Sequence, residues 1–568
     1  MAKAGAGLRD QPKDENWVEE IERISLASNN LRVLSGQPHC PKLLTMLLEE
    51  NEELDYISPY FFHNMHAIRV LNLSGTRIKS LPDSVSDLVN LRALLLAYCY
   101  DLVDIPSLLK LKELRVLNLK WTAIKELPPG MEGLINLRYL ELSFTECLEM
   151  VRGGVIEKLS RLEDLAMHGS LWKWEDTNSD GVGGISEIIG LRRLLNLTLI
   201  FKDLSAFLTY VRSAHWHVLQ NFSFAIGGLK LHVAGNRLEV VLGPCCSSGS
   251  DGSSLLLPNN TARFEIDNFN GVVVLSQFLP DASALKTCVI NFSSNLKCIF
   301  ADGKNSLLSS IETLELNYLP KFKALSNCAM PNGAFACLKV LRISHCDKLR
   351  TVFSLESMQN LQNLEEVFVD SCGQIVEIIT GKGKHCGVLP KLKFLRISSC
   401  PKLKALFSSH MLQGLEMLEQ IIVYYCEGME QMIAEEEEEG KKEEDGHDDG
   451  TCAIESNDVT GKAIALPMLR SLSLTLPKLK CISNRVLICN SLQSIKLESC
   501  VQLKNLPLSV ENASAAPVEK AAQAETIKGG RFSPSQLRSA GSHITAERKN
   551  CQMPKNSVEL YFNARYEL

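Results

Sequence analysis

The sequence predicts an α/β solenoid, a curved horseshoe of stacked parallel strands lining a concave face, with turns and short helical or irregular arms behind them. Three observations carry this reading. Leucine fills 88 of 568 positions while aromatic residues stay at 6%, which asks for a core of one repeated shape. Four segments align without gaps: IRVLNLSGT from Ile68, LRALLLAYC from Leu91, LRVLNLKWT from Leu114 and LRYLELSFT from Leu137, each 23 residues after the last. Within each, the fourth and sixth residues alternate with polar ones at the period of a strand, so one face of that strand is apolar.

The shared pattern, L-x-x-L-x-L-x-x-(N/C/T), is that of the leucine-rich repeat. Further copies begin at Ile21, Leu43, Leu162, Leu194, Leu219, Thr261, Leu285, Ile311, Leu338, Leu364, Leu392, Leu418, Leu469 and Leu492, giving 18 units. The register is loosest between Leu162 and Thr261, where WKWEDTNSDGVGG and GPCCSSGSDGSS interrupt it. One unit cannot bury its own leucine face, so neighbours stack and their strands pair in parallel. Residues such as IKSLPDSVSDLVN, 78–90, then return on the convex side, and the longer spacing from Ile311 to Leu418 predicts fuller convex arms there.

At the ninth position of each unit the chain leaves the strand, and backbone groups turned inward need partners. Cys99, Cys346, Cys372, Cys400, Cys426 and Cys500 occupy it, with Asn29, Asn51, Thr76, Thr122 and Thr145 in other copies. These side chains read as a structural ladder. The 19 cysteines are too sparse and scattered for a disulfide framework, which predicts a reduced, cytoplasmic chain.

Three parts follow from the pattern: a lead-in, 1–17; a repeat domain, 18–508, with an acidic loop insertion at 434–462; and a tail, 509–568, whose Ala, Ser and charge content reads as disordered. The run EEEEEGKKEEDGHDD, 435–449, carries a net −8 within a whole-chain charge of −6, so the rest is close to neutral. Nothing in that balance asks for nucleic acid or an anionic membrane. There is no apolar leader and no stretch of about 18 apolar residues to span a membrane. The sequons at Asn72 and Asn196 read as chance.

Catalytic and metal constellations are missing from the sequence. It holds no H-E-x-x-H, G-x-S-x-G or C-x-x-C. His63 with His66, and His215 with His217, lack carboxylates or thiolates at metal-ligand spacing. Cys245 and Cys246 sit in a Gly/Ser loop, and the acidic run lacks the order of residues that wraps a calcium ion. No enzyme activity, cofactor or metal is expected.

Binding surface is expected instead on outward strand positions. The fifth residues from the Ile311 unit onward form a row, Glu315, Arg342, Phe368, Arg396, Ile422, Ser473 and Lys496. Parallel strands lie about 4.8 Å apart, which puts Arg342, Phe368 and Arg396 within roughly 10 Å of one another. Two guanidiniums flanking an aromatic suit an acidic protein partner. Phe394 at a third position and Tyr424 at a seventh add aromatic surface. The competing reading is that arginine stems and Phe368 only cover an apolar face. In the N-terminal half Asn72, Asn118, Lys120, Trp121, Tyr139 and Glu141 form a second candidate patch.

The segment LPDSVSDLVNLRALLLAYCYDLVDIPSLLKLKELRVLNLKWTAIKELPPGMEGLINLRYLELS, 81–143, resembles the leucine-rich-repeat region of plant disease-resistance proteins of the coiled-coil nucleotide-binding (NB-ARC) class. LKVLRISHCDKL at 338, LKFLRISSCPKLKALF at 392 and LPMLRSLSLTLPKLKCI at 466 are similar to that family's C-terminal repeats, and AKAGAGLRD to the stretch after its nucleotide-binding region. The resemblance covers 2–508. It implies a cytosolic recognition module of innate immunity that senses a pathogen effector or a modified host protein, and that in a full-length receptor folds back on a nucleotide-binding switch domain. The family's phosphate loop is not in this sequence: TGKGKHCG, 380–387, has the letters in the wrong order, and Met65-His66-Ala67 departs from the Met-His-Asp motif. A truncated receptor or an incomplete gene model would account for that. The alternative is a free-standing intracellular leucine-rich-repeat scaffold or a ubiquitin-ligase substrate adaptor.

Overall fold

The computed structural model describes residues 3–509 apart from 177–180, 214, 228–237, 245–253, 281, 302–307, 382–388, 410, 435–462 and 505, together with 557–561. The acidic run, Cys245, Cys246, most of TGKGKHCG and most of the tail therefore lie outside the described residues. The chain forms two units, one of residues 1–250 and 256–269, the other of 251–255 and 270–568.

In the first unit a parallel sheet grows by one strand per repeat. Arg23–Ser25, Thr45–Leu47, Val70–Asn72, Ala93–Leu95, Val116–Asn118, Tyr139–Glu141 and Asp164–Ala166 pair in that order. Asn196–Phe201, Asn221–Ile226, Leu238–Leu242 and Arg263–Asp267 continue it. The second unit repeats the construction with Thr287–Asn291, Thr313–Asn317, Val340–Ser344, Glu366–Asp370, Phe394–Ser398, Gln420–Tyr424, Ser471–Thr475 and Ser494–Glu498, all parallel. Every one of the 18 predicted repeats begins its strand two residues after its first position.

One parallel strand of the first unit's main sheet has no counterpart in the 18 repeats. Leu238–Leu242 pairs between Asn221–Ile226 and Arg263–Asp267. In register with Phe264 and Ile266, its inner strand positions are Val240 and Leu242, both buried, which puts Arg237 where most repeats carry a leading aliphatic.

Burial follows the pattern. Leu114, Leu117 and Leu119 are at 0% exposure, as are Leu137, Leu140 and Leu142 in the next repeat. Each fully buried leucine is worth roughly 1.5–3 kcal/mol of transfer free energy, realised only because the adjacent repeat covers it. The arms hold little α-helix. Short 3-10 turns such as Asp83–Asp87 and Met131–Gly133 serve in the first unit, and the longest helix, Leu204–Arg212, is capped by Asp203 accepting from Ala206 N–H at 3.0 Å. In the second unit the fuller arms form paired strands of their own, Thr351–Ser354 with Glu377–Thr380 and Phe407–Ser408 with Ile433–Ala434.

Both sheet ends receive backbone partners. Lys3 and Gly5 N–H donate to Ser25 and Ala27 carbonyls at 2.9 and 3.0 Å, so the lead-in extends the ladder beyond the first strand. Ser557–Tyr561, within the stretch given no strand from sequence, pairs antiparallel with Ser494–Glu498. Bare strand edges recruit other chains, and both contacts cover one.

Candidate functional site

The outward row of the second unit stands in the register expected of it. Glu315, Arg342, Phe368, Arg396, Ile422, Ser473 and Lys496 lie directly opposite one another on successive strands. The alternation that buries Leu341, Val367 and Leu395 turns their neighbours to the open face.

The three central residues behave differently from one another. Arg342 is ion-paired, Nη1 at 3.0 Å from Glu315 and Nη2 at 3.7 Å from Glu366, with its guanidinium 4.8 Å from the Phe368 ring centre. Its charge is spent within the sheet, which corrects the expectation of two available guanidiniums. Carboxylates at Glu315 and Glu366, one strand to either side, are the reason. Arg396 is exposed, and among the described residues no hydrogen bond or ion pair holds its side chain. Its register neighbours are Phe368 and Ile422, neither able to pair with it.

Two shallow cavities open on either side of these residues. One of about 200 Å³ is lined by Glu366, Phe368, Phe394, Leu395, Arg396, Gln420 and Ile422. The other, of about 360 Å³, takes Phe368 and Arg396 as well, with Arg342, Asn317, Asp370 and Ser398 among its walls. Asp370 accepts a short hydrogen bond from Ser398 Oγ and one from Ser371 Oγ at 2.9 Å. Phe394 thus belongs to the same cup as Phe368 and Arg396. Tyr424 stands on the next strand and ties its hydroxyl to Ser473 Oγ at 2.9 Å, and Lys496, further along the row, pairs with Glu498 at 2.9 Å.

The N-terminal candidates separate on inspection. Asn72 and Asn118 accept from the N–H two residues on, Ser74 and Lys120, at 3.1 and 3.0 Å, which shapes the strand exit. Glu141 does the same for Ser143 at 2.9 Å, takes Tyr139 Oη–H at 3.1 Å and is only 9% exposed. Burial and that carboxylate push the Tyr139 hydroxyl well above the usual phenol range. These bonds tie all four to the strand exit; Glu141 is buried, while Asn72, Asn118 and Tyr139 stay half-buried. Lys120 and Trp121 lie past the strand Val116–Asn118, in the turn.

That turn holds a feature the sequence reading missed. The eighth residue of repeat after repeat has positive φ although few are glycine: Tyr98 61°, Trp121 58°, Phe144 59°, Phe292 53°, Tyr318 56°, His345 50° and Tyr425 55°. Side chains rarely accept this conformation, and bulky ones least. The left-handed residue turns the chain out of the strand and lines the rings up in columns. Trp121 stacks on Phe144 at 4.3 Å, and Tyr318 on Phe292 and His345 at 4.6 and 4.1 Å. Lys120 Nζ lies 5.7 and 5.6 Å from the ring centres of Tyr98 and Phe144. In the following repeat the eighth residue is Gly169, where a Cβ would come within 2.6 Å of the Phe144 ring.

Histidines and cysteines take structural places. His215 is buried between Tyr210 Oη and the Leu191 carbonyl, at 2.9 and 3.0 Å, and His217 stacks on Trp216. The ninth-position ladder is as expected: Asn51 Nδ2 donates to Leu26 and Leu48 carbonyls at 2.9 and 2.8 Å, and Thr76 Oγ1 to Leu73 O at 2.8 Å. Cys372 and Cys400 donate to the Asp370 and Ser398 carbonyls, each at 3.3 Å. Among the described residues no three His, Cys, Asp or Glu side chains converge as a metal site would need, and no helix is long and apolar enough to cross a membrane.

Stacked parallel strands, apolar positions closed by the next repeat and a capped ninth residue define a leucine-rich-repeat solenoid. Residues 264–373 and 374–513 match plant disease resistance protein RPS2-like leucine-rich repeats, and residues 41–100 match the general leucine-rich-repeat family. The chain is 30% identical to probable disease resistance protein At4g27220 of Arabidopsis thaliana, over 89% of this chain and 48% of that protein. It is 28% identical to disease resistance protein At4g27190 of the same plant, over 75% and 45%. Its repeats belong to the family of plant disease-resistance leucine-rich repeats. The chain spans about half the length of these curated relatives. Among solved structures, the leucine-rich-repeat protein LIC12759 of Leptospira interrogans covers 85% of this chain and 91% of its own, at 16% identity and a TM-score of 0.36.

Proposed function

We propose that this chain is a cytoplasmic recognition module of plant innate immunity, sensing a pathogen effector or a modified host protein on the open sheet face of its second unit. The reading rests above all on Arg396, an exposed guanidinium with no hydrogen-bond or ion-pair partner among the described residues, set beside two cavities that share Phe368. Arginine beside aromatic anchors is the commonest composition of interface hot spots. The partner would bring a carboxylate to Arg396 and an apolar side chain to the cup of Phe368, Phe394 and Ile422. Recognition by surface complementarity needs no chemistry performed on the partner.

The test compares partner capture from plant extract by the full chain and by Arg396→Glu. Because Arg396 makes no side-chain bond among the described residues, the variant should keep its thermal midpoint and lose its captured partner by about tenfold or more. Arg342→Glu, by contrast, breaks two ion pairs and gathers three carboxylates, so it should lower the midpoint as well. Retention of every partner by Arg396→Glu would overturn the reading.

A further inference from the structure

In the first unit the second residue of four consecutive repeats is arginine: Arg69, Arg92, Arg115 and Arg138. The ladder sets them one strand apart. Arg92 N–H donates to Arg69 O at 2.7 Å, and Arg115 and Arg138 repeat the bond to the arginine before them at 2.8 Å. All four side chains are exposed. Arg138 reaches Glu163 of the next repeat at 3.3 Å. Among the described residues the other three have no carboxylate in ion-pair range. Neighbouring strands lie about 4.8 Å apart, so like charges at one register position repel and weaken the sheet that carries them.

The second unit shows that the repeat itself does not need this. At the same position its side chains alternate in sign, Lys286, Glu312, Lys339, Glu365, Lys393, Glu419 and Arg470. They close on one another: Lys286–Glu312 at 3.6 Å, Lys339–Glu312 at 2.8 Å, Lys393–Glu365 at 2.7 Å and Arg470–Glu419 at 3.8 Å. The same backbone position is self-neutralised in one unit and carries four successive arginines in the other, with Glu163 closing the run at Arg138. Beside the arginines, the third residues Val70, Ala93 and Val116 form an uncharged, half-buried strip. Phosphates would find the cations, but nucleobases would find no aromatic ring among Val70, Ala93 and Val116, and Tyr139, next in that row, is half-buried with its hydroxyl on Glu141, whose carboxylate would repel a phosphate. A protein surface would use both rows.

We propose that the column Arg69, Arg92, Arg115 and Arg138 is a docking strip for an acidic, amphipathic segment of a protein partner. Its carboxylates take up the guanidiniums, which bind them as planar forks, and its apolar side lies on Val70, Ala93 and Val116. The proposal is independent of the face around Arg396.

The probe is a short peptide alternating glutamate and valine, with a glutamine–valine peptide and an oligothymidylate of equal charge as comparisons. Binding to the full chain is read by fluorescence anisotropy at low and at physiological salt. The glutamate peptide should bind at least about tenfold more tightly than either comparison, and less tightly as salt rises. Arg92→Gln with Arg115→Gln should lose about tenfold in affinity with no fall in thermal midpoint, since repulsion is relieved; Lys339→Gln with Lys393→Gln should leave affinity unchanged. The proposal fails if the double arginine variant binds as the parent does, if the glutamine peptide or oligothymidylate binds equally well, or if removing the arginines lowers the midpoint.

Discussion

Where each strand ends, carbonyl and amide groups turn inward, and one residue per repeat answers them. Asn29 does so most fully, accepting from Leu8 N–H at 3.0 Å while donating to the Lys3, Leu26 and Ala27 carbonyls at 2.8, 3.0 and 3.1 Å. Cysteine answers with a single weak donor, and that role governs its reactivity. Hydrogen bonding from Cys346 and burial raise the Cys372 thiol, and burial raises Cys99 and lifts Cys489 to about 12. These thiols stay protonated when folded, so at about pH 8 a maleimide should label the exposed Cys147, Cys328 and Cys337 while Cys99, Cys372 and Cys489 remain unmodified until the chain unfolds, as peptide mass spectrometry would show. Since unfolding releases them to titrate from 9.0, their contribution to stability is whole below that pH and declines above it. His168 works at the other end of the scale. Burial, and secondarily Lys120, push it down from 6.5 to about 4. Its contribution is complete above 6.5 and is lost as the pH falls towards 4, because the unfolded chain takes up that proton first. Denaturant midpoints measured across that window should fall less steeply in His168→Gln than in the parent chain.

At the scale of the repeat, the leucine period was enough to place 18 strands, because three apolar positions at fixed spacing admit one register that buries them all. Leu238–Leu242 escaped because its inner positions, Val240 and Leu242, are led by Arg237 and not by a leucine, in a part of the sequence where the leucine period is interrupted. The row around Phe368 was legible because strand register follows the same period. The ion pairs of Arg342 were legible only as neighbouring letters, since whether Glu315 and Glu366 reach it depends on rotamers. The columns of rings were hidden for a different reason: the eighth position has no residue preference that names it, and its common property is a backbone angle. That angle makes a prediction. Ser399 has φ 53° and sits in this position. Ser399→Val should cost about 1–3 kcal/mol, since a β-branched residue resists the left-handed region, whereas Ser399→Gly should leave stability equal or higher. Equal losses for both in denaturant titrations would show that the angle is not what the position requires.

Across the whole molecule, a net charge of −6 conceals a division of labour among surfaces. Ion pairs neutralise the second-position row of the second unit, a run of four arginines with one carboxylate at its end marks the first, and Arg396, without an ion pair among the described residues, marks the face around Phe368. The 51-residue step from Leu418 to Leu469 leaves the sheet unbroken, for Gln420–Tyr424 pairs directly with Ser471–Thr475. Insertions of this kind can vary while the face beside them stays in register. Family membership places these surfaces among plant disease-resistance repeats, and recognition by the second unit is the claim on which the functional account stands. Hydroxyl-radical footprinting of the full chain with and without a partner captured in an Arg396-dependent manner tests it most directly. Phe368 and Phe394 should be shielded from oxidation in the complex, while the exposed Tyr60 and Tyr100 of the first unit oxidise as before. Unchanged oxidation of Phe368 and Phe394 with the partner bound would contradict the account.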